Sequence, residues 1–141
     1  MKKKTLIRWT IVALLLLMAV SIYCVCSTWP GREISDSAMV LYGGKAVDDE
    51  VSQRVLKMIR RPHIPNDSYA VAEHASPGTY GGFSILDGET TYDIHFHRRS
   101  NVGRIQVLTY TGKGNSKPVY GKRYYFHISA QEQRIWYELF L

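Results

Sequence analysis

Residues 83–97, FSILDGETTYDIHFH, decide the fold. Two runs that alternate apolar and polar residues flank Asp87-Gly88. This is the strongest short-range hairpin signal, because a type I′ turn needs positive φ at both central residues. With residues 87 and 88 as the loop, Leu86 lies opposite Glu89, Ile85 opposite Thr90 and Phe83 opposite Tyr92. Phe83 and Ile85 then share a face with Tyr92, Ile94 and Phe96. Turn chemistry and hydrophobic pattern agree, which sets the side-chain parity of the hairpin.

The neighbouring segments extend this pair into a meander. Ser68–His74 reads as a strand closed by Ser76-Pro77-Gly78, and SNVG (residues 100–103) turns the chain into a strand over 103–110. The polar loop TGKGNSKP (residues 111–118) leads to a last strand over 119–129. Ser129 and Glu132 have the spacing of a capping box. Ile135, Trp136, Leu139 and Phe140 follow as one stripe, so the chain ends in a short amphipathic helix. Upstream, Asp48 is a plausible N-cap for a helix over 49–60, with Asp49 and Glu50 at the positive end of its dipole. Val51, Val55, Met58 and Ile59 make its apolar stripe, and Pro62 stops it.

The expected fold class is therefore α+β: one amphipathic helix on a 4–5-stranded antiparallel meander, with a short C-terminal helix. The order of one long helix and then a curled meander resembles the cystatin and nuclear-transport-factor layouts. No motif accompanies this resemblance of element order, and it carries no function.

Parity also selects the residues that face away from the core. Asp93, His95, His97 and Arg99 point outward, as do Arg104, Gln106, Leu108 and Tyr110, then Arg123, Tyr125 and His127. His95 and His97 lie about 6.6–6.8 Å apart along a strand, a spacing that can share one zinc ion with Asp93. Zinc needs a third protein ligand and usually a fourth. In a register with His95 beside Leu108 and Arg123, His127 is too far away and is ringed by guanidinium groups. Asp93, His95 and His97 are thus weak metal candidates. The better reading is a polar, aromatic outer sheet face, with His95, His97, Arg99, Arg104, Arg123, Tyr125 and His127 as a candidate interaction face. His63 and His74 read as isolated. No nucleophile or paired carboxylate accompanies the histidines, so neither catalysis nor a cofactor is expected.

The N-terminus is of another kind. From Trp9 to Gly31 there is no charged residue, enough to cross a bilayer as a helix. Lys2, Lys3, Lys4 and Arg8 precede the run, which orients the N-terminus toward the cytoplasm. Trp9 and Trp29 bracket it as interfacial residues, which favours a retained anchor. Cleavage near Ala19 and Ser21, releasing a periplasmic protein, is the competing reading. The expected organisation is a basic start at 1–8, a membrane helix at 9–31, a connector at 32–47 and an exported domain at 48–141.

The net charge of +6 is largely topogenic. Four of the 18 Lys and Arg precede the apolar run, leaving 14 against 12 Asp and Glu, a remainder of +2. Nothing in that balance seeks nucleic acid. Both cysteines, Cys24 and Cys26, lie inside the apolar run, so the domain has no disulfide, thiol nucleophile or cysteine-ligated zinc. The sequence thus points to a single-pass protein of the bacterial inner membrane. Its exported domain is expected to bind another envelope protein, as an inhibitor, immunity-like or accessory module. A metal-binding or hydrolytic domain using Asp93, His95 and His97 is the alternative.

Overall fold

The computed structural model describes residues 3–66, 80–97, 101–110 and 117–140. It is an α+β architecture: a long apolar helix, then a six-stranded antiparallel sheet with two helices. Helix α1 spans Lys3–Thr28, with none of its residues buried. Strands β1 (Met39–Tyr42) and β2 (Lys45–Ala46) precede helix α2 (Asp49–Ile59). Strands β3 (Tyr80–Asp87), β4 (Thr90–His97), β5 (Val102–Thr109) and β6 (Val119–His127) follow, and helix α3 covers Ala130–Phe140. The sheet order is β2-β1-β3-β4-β5-β6. The strand expected at Ser68–His74 lies outside the described residues.

The segment expected to be a connector supplies two of the six strands. Gly43 and Gly44 both have positive φ, 58° and 77°, and close a two-residue hairpin between Tyr42 and Lys45. The I′ requirement for two positive φ angles is thus met here rather than at Asp87-Gly88. In the β3–β4 turn only Gly88 is positive, and Asp87 pairs with Thr90, so the loop is Gly88-Glu89. One glycine at the first central position suits a II′ turn. Ile85 consequently faces Tyr92 and Phe83 faces Ile94, two residues from the expected register. A two-residue shift leaves parity intact. Asp87 is withdrawn from the turn because its carboxylate accepts the Ser35 N–H at 2.8 Å and the Ser35 hydroxyl at 2.6 Å. These two bonds hold the Asp87 carboxyl below its ordinary value.

Both helices cover one face of the sheet. Asp48 caps α2 by accepting the Val51 N–H at 2.9 Å, as expected. Val55, Leu56, Met58 and Ile59 are buried, with Val51 at the edge; Leu56 widens the expected stripe. They meet Val40, Phe83, Ile85, Tyr92, Ile94 and Phe96 in one core with Ile105, Phe126 and Ile128. On α3, Trp136 and Phe140 are buried, and the Trp136 ring lies 5.0 Å from Phe83 and 5.9 Å from Phe96.

Trp29 departs from its expected interfacial place. It is 6% exposed and joins the domain core, with its Nε1 donating to the Ile59 carbonyl at 2.7 Å. Helix α1 stops at Thr28, the residue before it. The following 3₁₀ turn, Pro30–Glu33, keeps Gly31 beneath that carbonyl, where any side chain would collide with it.

His63, expected to stand alone, links the two helices. It is 7% exposed, and its Nε2 lies 2.9 Å from Glu132 Oε1. Glu132 closes the expected capping box: its Oε2 accepts the Ser129 N–H at 2.9 Å, and the Ser129 hydroxyl accepts the Glu132 N–H at 3.2 Å. Burial alone would raise the Glu132 carboxyl. The hydrogen bonds from His63 and Ser129 outweigh it and hold the group down at about 2. A depressed carboxylate stabilises the fold at any pH above its unfolded value of 4.5, and that contribution is lost as pH falls from there toward 2. Glu132→Gln is therefore expected to lower stability at pH 7 and to flatten its decline over that acid window. Denaturant melts of both proteins across the window check this; parallel acid limbs would contradict it.

Candidate functional site

The outer sheet face is built from cross-strand neighbours. One row runs Gly82, His95, Arg104, Tyr125 across β3 to β6. The next runs Ser84, Asp93, Gln106, Arg123. His95 thus lies opposite Arg104 rather than Leu108, because β4 ends at His97 and β5 resumes at Val102. The partner on β5 is four residues from the expected one. The shift is again even, so the outward set is preserved while its neighbours change.

The chain makes room for this face locally. A side chain at Gly82 would bring its Cβ to 2.9 Å from His95 Nδ1, so glycine lets the imidazole lie over the strand. Opposite Val107 the β5–β6 register shifts between Gln106 and Leu108. That bulge brings Tyr120 to the same face as Arg123 and Tyr125, and Gly121 allows it, since a Cβ there would sit 2.8 Å from the Val107 carbonyl.

The face is less solvated than parity implied. Gln106 is 8% exposed and Leu108 5%, although both point away from the main core. Val107, expected inside, is only partly buried. His95 is half-buried, and burial is the main reason its imidazole stays below its ordinary value. Asp93 opposes that depression and Arg123 adds to it. His95 therefore enters neutral solution as an uncharged ring that can donate and accept.

Each neighbour has a defined role. The Ser84 hydroxyl donates to Asp93 at 2.7 Å, and Arg123 Nε donates to Gln106 Oε1 at 3.2 Å. Burial, and then the charge of Arg123, push the Arg104 guanidinium below its ordinary value. The half-buried Arg104 and the exposed Arg123, on adjacent strands, thus repel. Beside them, His95, Asp93, Ser84 and Gly82 open with Gly43 and Gly44 into a concavity of 370 Å³. Sequence parity located Arg104, Arg123 and Tyr125 but missed Ser84 and the glycine hairpin that completes the rim.

The other candidates disperse. His97 is half-buried at the end of β4, His127 is exposed opposite Val102, and Arg99 lies outside the described residues. Asp93, His95 and His97 do not converge: among the described residues no three His, Cys, Asp or Glu side chains could hold a metal ion. No family model, curated protein or solved structure matches this chain.

Proposed function

We propose that this is a single-pass protein of the bacterial inner membrane, N-terminus in the cytoplasm, whose exported domain binds an acidic surface of another envelope protein. The observation that carries the reading is the pair of rows joining His95, Arg104 and Tyr125 to Gln106 and Arg123. A partner carboxylate placed between Arg104 and Arg123 would relieve their mutual repulsion and take bidentate hydrogen bonds. Tyr125 supplies a broad amphipathic surface of the kind that anchors interfaces. The reading is one of binding rather than catalysis: the Ser84 hydroxyl that shares the concavity with His95 donates to the Asp93 carboxylate rather than to the imidazole.

The anchor reading is supported by α1 itself, which is 26 residues long with a mean hydropathy of 2.4 over its most apolar window. Ala19 and Ser21 lie within the helix, which continues unbroken to Thr28. Lys3, Lys4 and Arg8 occupy its first two turns, ahead of the uncharged run, as a cytoplasmic N-terminus requires.

A photoreactive residue at position 125 in living cells tests the proposal. It is expected to trap an envelope protein, and the double charge reversal Arg104→Glu, Arg123→Glu is expected to reduce capture by more than about tenfold. The melting temperature should stay close to that of the unaltered protein. An adduct that survives the reversal, a cytoplasmic partner, or no adduct above a control at Arg54 would overturn the reading.

A further inference from the structure

The junction between α1 and the domain has no slack. Thr28 ends the helix and Trp29 is already core, hydrogen-bonded to Ile59 and packed 4.9 Å from both His63 and Phe126. No linker therefore separates the helix from the domain core. Ile22, Val25 and Cys26 share a 340 Å³ concavity with Pro62, His63 and Ile64. Ile64 is 70% exposed, yet its backbone is fixed: its carbonyl accepts the His127 N–H at 2.8 Å, and Pro65 bridges to Phe126.

A lone exposed isoleucine is ordinary on a protein surface. Its depth makes this one different. A hydrocarbon core of about 30 Å takes about 20 helical residues at about 1.5 Å each. Counted from Leu6 these reach Val25, and counted from Trp9 they reach Thr28. On either count Ile22–Cys26 lie at the outer boundary of the acyl region, and Pro62–Ile64 lie beside them. Lys122 and Arg123 share a second concavity with Val25 and Thr28. Arg61 is exposed on the same loop.

We infer that the loop at 61–64 is a foot immersed in the outer leaflet. Ile64 enters the acyl boundary, while Arg61 and Lys122 meet anionic headgroups. The inference rests on the anchor reading of α1. It adds that the domain is held against the bilayer, with the Tyr125 end of the outer face close to the membrane surface.

The test uses the full chain with Cys24→Ala and Cys26→Ala, reconstituted in phosphatidylcholine–phosphatidylglycerol vesicles. Ile64→Cys and Glu89→Cys, the latter at the opposite end of the sheet, each carry an environment-sensitive fluorophore. The expected result is blue-shifted emission at position 64, with iodide quenching several-fold weaker than at position 89. If the protein floats with the vesicles and resists alkaline extraction but the two probes behave alike, the foot is refuted and the anchor stands. If it does not float, the anchor reading fails and this inference falls with it.

Discussion

Deleting residues 135–141 is expected to abolish cooperative unfolding of the domain. The segment contains Trp136, 1% exposed, and Phe140, 4% exposed. Phe140 stacks on Phe83 at 4.9 Å, and its carbonyl accepts the Tyr42 hydroxyl at 2.5 Å, which ties the end of α3 to β1. Each large aromatic deletion from a core costs about 3–5 kcal/mol, against a total of about 5–15 kcal/mol for an ordinary domain. Losing both rings together removes most of that margin. Trp136→Ala alone should cost about 3–5 kcal/mol and still leave a measurable transition. Thermal melts, dye binding and protease sensitivity of both variants check this. A truncated domain that melts like the intact one would show that α3 is dispensable to the core. It would make the C-terminus a handle for a partner.

What could be read from the chain follows what local chemistry controls. Alternation across residues 83–97 placed Phe83, Ile85, Tyr92, Ile94 and Phe96 on the buried face, because a strand has one period and two faces. The two capping signatures, Asp48 and Ser129 with Glu132, also formed, because each joins residues three apart or fewer. Registers were harder. The β3–β4 register turned on a partner distant in sequence, Ser35, which accounts for the position of Asp87. The β3–β4 and β4–β5 errors were even, so Asp93, His95, Arg104 and Gln106 kept the parity expected of them while their pairings changed. His63 and Glu132 are 69 residues apart, and no periodicity links them. Gln106 read as a solvated position because parity reports direction and not depth.

Trp29 shows the same limit and yields the second large effect. By composition it belonged to the apolar run, since an indole suits a membrane interface and a domain core equally well. Its hydrogen bond to Ile59, thirty residues away, decides the matter. Trp29→Ala is expected to destabilise the domain by about 3–5 kcal/mol through lost packing against His63 and Phe126. A further about 1–3 kcal/mol follows if the Ile59 carbonyl at the end of α2 is left buried without its donor. Trp29→Phe separates the terms, because it keeps most of the ring and loses the N–H. Its cost should fall well below that of alanine. An interfacial tryptophan would behave otherwise: both substitutions would leave the melting curve of the domain almost unchanged and would alter only its partitioning into membranes. Denaturant melts of the two variants in detergent distinguish these outcomes. The core result would mean that the residue following the helix also closes the domain, coupling the orientation of the sheet face to that of α1.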